Sequence, residues 1–138
     1  MPTTADVIAE ARKYLGVRWV HQGRAAVGID CAGLLIRVHQ GLGLPVADRK
    51  GYRRSSDSIE FLEHIRQQTS AGLEPVPGAI GMFAESTFAC HTGIFSEKHG
   101  VLHLIHAKMS AGKVIEEPFI GALVSQLIEV RHINGLED

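Results

Sequence analysis

The chain has 138 residues, of which 45% are hydrophobic and 21% charged, and its formal net charge at pH 7 is -1. This length and composition predict one compact domain over residues 1–138 and exclude a disordered or membrane-spanning chain. Charges of both signs are mixed along the sequence, so no extended region of positive electrostatic potential is expected to attract phosphate groups. Nucleic acid is therefore not expected as a partner. The one basic cluster, in residues 49–54, is interpreted as a solvated loop rather than a site for an anionic substrate.

The N-terminal residues 1–6 lack the basic start, the apolar stretch and the small-residue cleavage site of a Sec-type signal peptide. We therefore expect the protein to be made in the cytosol, and either to stay there or to leave by another route. Two cysteines do not make a disulfide scaffold in a chain of this size, so in a reducing compartment each is expected to be an unpaired thiol.

The N-terminal part of the chain predicts a helix followed by a loop. Thr4 can cap a first helix over about residues 4–15, where apolar residues recur at helical spacing and Gly16 follows as a stop. Residues 17–29 show no sustained period and are predicted to be a loop that delivers the chain to Cys31.

Two further helices are predicted before the periodicity changes. A second helix begins at Cys31 with an apolar stripe along one face, and Pro45 ends it. A third helix is closed by Gly72. Its apolar positions at helical spacing are Ile59, Leu62 and Ile65.

The second half of the chain predicts strands. Short apolar or β-branched runs are separated by turn residues, which is typical of an antiparallel sheet. The runs are residues 79–84, 91–96, 101–107, 113–117 and 128–133. Helices first and strands afterwards predict an α+β domain, and no repeat or linker divides it.

Cys31 stands where a turn leads into the apolar second helix. A thiol is inert until it is ionised, and a helix N-terminus beside an imidazolium is the setting in which the pKa of a thiol falls. The backbone N–H at such a position has no partner within the helix and could also donate to an oxyanion. Position alone nevertheless favours a buried structural cysteine, so the case for a nucleophile depends on the histidines downstream.

His91 opens a strand-like run in which Gly93 would leave room for the close approach of another backbone or of a substrate. An imidazole here is a candidate base for the thiol of Cys31. Because neighbouring side chains in a strand point to opposite faces, Cys90 and His91 are expected to diverge. This argues against a disulfide between Cys31 and Cys90 in the active form.

The next predicted strand carries His103 and His106 on opposite faces. Both faces of this strand are apolar, so its periodicity does not choose between the two histidines, and either could orient the imidazole of the base. Zinc binding is the rival use of these side chains, but the paired ligand spacing of zinc motifs is absent. The residues that a zinc site would use are Cys31, Cys90, His91, His103 and His106. Glu116 and Glu117 are interpreted as a solvated strand end. The remaining histidines are interpreted as surface or helix-flank positions: His39, His64, His99 and His132.

Several segments match one known family in order and spacing: residues 11–17, 21–24, 28–34, 43–46, 48–52, 76–78, 91–95 and 104–107. On these segments the chain resembles the NlpC family of papain-like bacterial cell-wall cysteine peptidases, most closely its phage and prophage tail-associated branch. The Asp-Cys motif is moderately specific alone, and its order with both histidine motifs makes the set strong. The match selects His106 over His103.

The resemblance implies a papain-like α+β fold, in which the nucleophile helix packs on the sheet that bears both histidines. It also implies an amide hydrolase in which Cys31 is the nucleophile, His91 the base and His106 the residue that orients the base, with no metal or organic cofactor. The implied substrate is a peptidoglycan stem peptide, typically cut between D-glutamate and diaminopimelate. The residues implied to line the substrate site are Trp19, His21, Asp30 and Ala32.

Phage tail proteins are expected partners and the virion an expected location, because assembly into a tail would bring a chain without a signal peptide to the cell wall. No membrane partner is expected. Three positions depart from the family: Trp19 replaces a tyrosine, Ala32 a serine and Ala79 an aspartate. Trp19 cannot accept a hydrogen bond. Two alternatives stay open, a non-enzymatic tail or assembly protein of the same fold and a thiol amidase or acyltransferase acting on another acyl group.

Overall fold

A computed structural model of the chain describes residues 1–48, 58–84 and 91–138, and within this part residues 58–62 are described by their backbone only. The helices are α1 (Thr4–Arg12), α2 (Cys31–Gly41), α3 (Ser58–Gln68) and α4 (Ala122–Gln126). The strands are β1 (Arg24–Ala25), β2 (Gly28–Ile29), β3 (Thr69–Ala71), β4 (Ile80–Phe83), β5 (His91–Lys98), β6 (Val101–Lys108), β7 (Lys113–Pro118) and β8 (Leu127–Ile133).

Helix α1 is capped one residue earlier than the sequence predicts, and it also ends earlier. Thr3, not Thr4, is the N-cap: its hydroxyl accepts from the backbone N–H of Asp6, whose carboxylate accepts from the N–H of Thr3. The helix stops at Arg12, and the chain then turns so that the N–H of Gly16 bonds to the carbonyl of Val114 in β7. The predicted helical boundary at residue 15 is therefore wrong, because a tertiary hydrogen bond draws the chain away.

Helix α2 begins at Cys31, as the sequence predicts, with Asp30 as its N-cap, but it ends at Gly41 rather than continuing up to Pro45. Buried residues cover more than the one predicted stripe, which contains Leu34 and Leu35, since Ile36 and His39 are buried as well. A helix that is apolar over most of its circumference belongs inside a domain rather than on its surface. Helix α2 accordingly contacts α1 on one side and strands β5 and β6 on the other.

In the described part of the chain, the main sheet has six strands in the order β3-β8-β4-β5-β6-β7, and every neighbouring pair is antiparallel. The five predicted strands correspond to β4 through β8. The sequence did not predict β3, α4 or the small hairpin of β1 and β2 within residues 17–29. These elements have two to five residues each, too short to show a period.

Apolar side chains cover both faces of the main sheet. On one face Ile94 and Ile105 belong to a cluster with Leu34 and Val38 of α2. On the other face lies a second cluster, which contains Phe83, Phe95, Leu104 and Val130 from four neighbouring strands and Leu123 from α4. The result is the predicted α+β arrangement of helices on an antiparallel sheet. Among the described helices, none has the length and apolar character needed to cross a membrane.

Candidate active site

Two histidines from neighbouring strands meet in the interior of the domain. The Nε2 atom of His91, the first residue of β5, lies 2.7 Å from the Nδ1 atom of His106 in β6. The exposed fractions are 6% for His91 and 0% for His106. A bond of this length between buried rings holds the two imidazoles in one fixed relative orientation.

The chain of hydrogen bonds continues to a carboxylate on β7. The Nε2 atom of His106 lies 2.8 Å from Oε2 of Glu117, and Nζ of Lys108 lies 3.2 Å from the same oxygen. An ionised carboxylate can only accept, so His106 donates its Nε2 proton to Glu117. The arrangement is a linear relay of His91, His106 and Glu117, which we call the imidazole relay.

The relay residues have perturbed pKa values with distinct causes. Burial, followed by the charges of His106 and Lys108, lowers the pKa of His91 to about 3. Burial also lowers the pKa of His106, although the bond to Glu117 opposes that shift. Burial would raise the pKa of Glu117, but the hydrogen bonds from His106 and Lys108 outweigh it and hold this pKa below the ordinary value. At neutral pH both rings are therefore neutral and Glu117 is ionised.

The turn before Cys31 is held by the buried carboxylate of Asp30. One oxygen accepts from the N–H of Gly33 at 2.8 Å and caps α2, and the other accepts from the N–H of Gln22 at 2.8 Å. Arg24 adds an ion pair at 3.0 Å from its Nη1 atom, while its Nε atom lies 3.0 Å from Asp48. Asp30 thus connects the loop that contains residues 21–24 to the first turn of the helix that begins with Cys31.

The predicted substrate-site residues surround the start of α2. Trp19 stacks on His21 with the ring centroids 6.4 Å apart, and its backbone forms a parallel bridge with Ile29, two residues before Cys31. Ala32 is buried at the start of the helix. Cys31 itself is half-buried. The roles of Trp19, His21, Asp30 and Ala32 toward a substrate stay predictions.

Cys31 and His91 begin elements that contact each other, α2 and β5. The body of α2 packs on the face of the sheet that carries Ile94, whereas alternation places His91 on the same face as Phe95. His91 precedes the first residue of β5 that pairs with β6, Ile94. Contact between the thiol and the base would therefore be made at the end of the strand, and it stays a prediction.

The structure separates the two histidines of β6. The Nδ1 atom of His103 lies 2.8 Å from the carbonyl oxygen of Val101 in its own strand, so this ring is turned away from the relay. His106 is the histidine that meets His91, as the resemblance implies. Cys90, and with it the predicted divergence from His91, lies outside the described residues.

Two interpretations from sequence are wrong. Glu116 and Glu117 are not a solvated strand end: Glu117 ends the relay, and Glu116 bonds to Arg12 and to Ser96. His39 is not a flank position but is 2% exposed inside the domain, where its Nδ1 atom lies 2.8 Å from the carbonyl oxygen of Leu35. Sequence periodicity gives no cross-strand register, and that register decides the partners of Glu116 and Glu117.

Within the described ranges, no group of three or more histidine, cysteine, aspartate or glutamate side chains is arranged to hold a metal ion.

Solved structures share this fold. An NlpC/P60 family protein from Bacillus cereus is 17% identical, with a TM-score of 0.71 over 96% of this chain and 40% of that chain. The NlpC/p60 domain of the peptidoglycan hydrolase SagA is 20% identical, with a TM-score of 0.65 over 95% of this chain and 99% of that chain. RipD from Mycobacterium tuberculosis, a non-catalytic NlpC/p60 domain protein, is 16% identical, with a TM-score of 0.63 over 96% of this chain and 97% of that chain.

The chain thus has the papain-like α+β fold of the NlpC/P60 proteins, as the sequence predicts. It spans 40% of the length of the Bacillus cereus protein. Neither the known family profiles nor the curated proteins give a match to this sequence.

Proposed function

We propose that this protein is a cysteine peptidase that hydrolyses an amide bond in the stem peptides of peptidoglycan. The observation that carries the proposal is the 2.7 Å contact between His91 and His106, in a fold that also sets Cys31 at the first residue of a helix. A buried imidazole held by a second polar residue is the arrangement by which a general base is oriented toward a nucleophile.

In the proposed reaction the Sγ atom of Cys31 attacks the carbonyl carbon of the scissile amide, and the thiol proton passes to His91. The carbonyl π bond opens to an oxyanion, to which the backbone N–H of Cys31 donates. The C–N bond then breaks, and His91 returns its proton to the leaving amine. Water, deprotonated by His91, attacks the thioester and releases the acid, which restores the thiol of Cys31.

The environment of His91 keeps the ring neutral in the free protein. Burial lowers its pKa to about 3, so the ring is uncharged at pH 7, and the protonated form that the reaction needs must be stabilised by the groups bonded to it. The ring of His106 is hydrogen-bonded to His91 on one side and to the carboxylate of Glu117 on the other. Positive charge that develops on His91 during proton transfer is therefore stabilised through His106 by an anion.

The proposed substrate follows from the fold and from the sequence resemblance together. SagA, which shares the fold, is a peptidoglycan hydrolase, and RipD is described as adapted to peptidoglycan binding. The bond between D-glutamate and diaminopimelate is the one implied by the NlpC likeness. Delivery by a phage tail, with tail proteins as partners and the virion as the location, is the part of the proposal that rests on the sequence resemblance alone.

Digestion of purified muropeptides, followed by mass spectrometry, tests the proposal. We expect new fragments from the native chain and none from the variants Cys31→Ser and His91→Ala. Fragments that also appear with Cys31→Ser would show a contaminating hydrolase. Binding without cleavage would overturn the proposal in favour of the non-enzymatic alternative, for which RipD provides an example of the same fold. Cys31-dependent reaction with other acyl substrates alone would favour the amidase or acyltransferase.

A further inference from the structure

We infer that Glu117 is a positioning residue that fixes which nitrogen of each imidazole carries the proton, and so leaves Nδ1 of His91 as the basic atom. Its catalytic consequence rests on the proposed function, whereas the proton positions do not. The inference begins at the carboxylate end of the relay, where Oε2 of Glu117 takes hydrogen bonds from His106 and from Lys108.

The protons can be assigned by following the relay from this end. A carboxylate has no proton to donate, so the Nε2 atom of His106 must carry one. A neutral imidazole with a proton on Nε2 has a lone pair on Nδ1, and this atom faces Nε2 of His91 at 2.7 Å. His91 must then donate from Nε2. Its own Nδ1 is left bare, as a base requires.

Without the carboxylate the relay has a second state of similar bonding. His106 could carry its proton on Nδ1 and donate it to Nε2 of His91, which would move the proton of His91 to Nδ1. In that reversed state His91 has only a donor at Nδ1 and cannot accept the proton of a thiol. Because the two rings share one hydrogen bond, their tautomers must change together. The carboxylate of Glu117, which accepts from His106, therefore determines the tautomer of both rings.

Lys108 helps to keep the carboxylate of Glu117 ionised, so that it can only accept hydrogen bonds. Its ammonium lies 3.2 Å from the same oxygen that His106 bonds, which favours the ionised form of Glu117. Among the described residues, the charged side chains outside the pair that shift the pKa of the two imidazoles are Lys108 on β6 and Glu117 on β7. The lowered pKa of His106 agrees with a ring that stays neutral despite the neighbouring carboxylate.

Glu116 provides a matched control. It is the adjacent residue on β7, but it faces the other side of the sheet, where it bonds to Arg12 and Ser96. Glu116→Gln removes the same charge from the same strand, and its side chain is also largely buried. We expect it to lower stability without changing the tautomers of His91 and His106.

Nitrogen-15 NMR of histidine-labelled protein near pH 7.5 tests the inference, with His91 and His106 assigned by single substitutions. In the native chain we expect a proton on Nε2 and a bare Nδ1 in both rings. In Glu117→Gln, whose amide can donate as well as accept, we expect both rings to show a mixture of tautomers. A proton on Nδ1 of either ring in the native chain would overturn the inference, and this result does not depend on whether Glu117→Gln folds.

Kinetics on muropeptides give the second reading. We expect Glu117→Gln to lower kcat about tenfold, a fraction of the ~10²–10⁴-fold that acid–base catalysis supplies, with little change in KM. Unchanged tautomers together with unchanged kcat in a folded Glu117→Gln would also overturn the inference. If the native chain cleaves no muropeptide while the tautomers behave as expected, the proposed function fails and the assignment of protons by Glu117 stands.

Discussion

A Cβ atom at Gly93 would lie 3.0 Å from the Cβ of His106 and 2.8 Å from Cδ1 of Leu104. Gly93 is in β5, next along the strand face from His91, and its neighbours are on β6. The close approach that the sequence indicated at this glycine is therefore made by the adjacent strand. The missing side chain lets His106 lie close enough to β5 to bond His91.

Gly93→Ala tests this spacing. The added methyl group would collide with the buried side chains of Leu104 and His106. We therefore expect His106 to be displaced and the unfolding free energy to fall by about 1–3 kcal/mol. We expect muropeptide cleavage to fall more than the stability loss explains, because the bond between the rings would be broken. Urea unfolding and initial rates at a temperature where the variant is folded are the measurements.

Gly41→Ala is the matched control for Gly93→Ala. Gly41 is the last residue of α2, and its added Cβ would meet the flexible carboxylate end of Glu10, which can rotate away. We expect near-native stability and cleavage. Equal effects of the two substitutions would contradict a specific role for Gly93.

Asp30→Ala tests the turn that holds Cys31. The substitution removes an N-cap, worth about 0.5–2 kcal/mol, and also removes the carboxylate that accepts from the backbone N–H of Gln22 and pairs with Nη1 of Arg24. We therefore expect both the unfolding free energy and the reactivity of Cys31 to fall. Asp30→Asn keeps an oxygen that can cap the helix and should lose less stability.

Thr3→Ala separates capping from positioning. It removes the cap of α1 rather than that of α2, at a similar cost of about 1 kcal/mol. We expect lower stability but native reactivity of Cys31. A Thr3→Ala variant that loses thiol reactivity as strongly as Asp30→Ala would show that lowered stability alone accounts for both results.

The buried histidines predict that acid destabilises the fold. A group with a folded pKa of about 3 and an unfolded pKa near 6.5, as for His91, binds its proton in the unfolded state first. Stability is therefore greatest above the unfolded pKa and is lost as the pH falls, by about 2 kcal/mol at pH 5 from His91 alone. Urea unfolding at pH 7.5, 6 and 5 measures the slope.

His39→Leu should make this slope shallower. Burial lowers the pKa of His39, and its Nε2 atom has no hydrogen-bond partner among the described residues. Removing a buried group that must charge on unfolding should increase stability at pH 5 relative to the native chain. An identical pH slope in the variant would show that His39 does not contribute to it.

Much of the fold was predictable because its long elements have clear periods. The start of helix α2 and strands β4 through β8 follow from apolar spacing and turn residues. The end of α1 was missed because it depends on a backbone bond from Gly16 to a distant strand. His39 was misjudged because a polar residue on a helix gives no sign, in sequence, that both sides of the helix are covered.

The candidate site was predictable only in part. Alternation could not choose between His103 and His106, and the family resemblance could. Glu117 was missed because its partner is set by the register of β7 against β6, in which Ile115 pairs with His106 and the carboxylate reaches the ring from two residues away. A carboxylate at a strand end carries no sequence signal of such a contact.

The central claim, that Cys31 is a nucleophile activated by His91, is tested most directly by the rate of alkylation. Iodoacetamide at pH 6, with peptide mass spectrometry of both cysteines, measures each thiol separately, and Cys90 is the internal reference. We predict that Cys31 is labelled much faster than Cys90, and that His91→Ala removes the difference. Equal labelling of Cys31 and Cys90 in the native chain would contradict the claim.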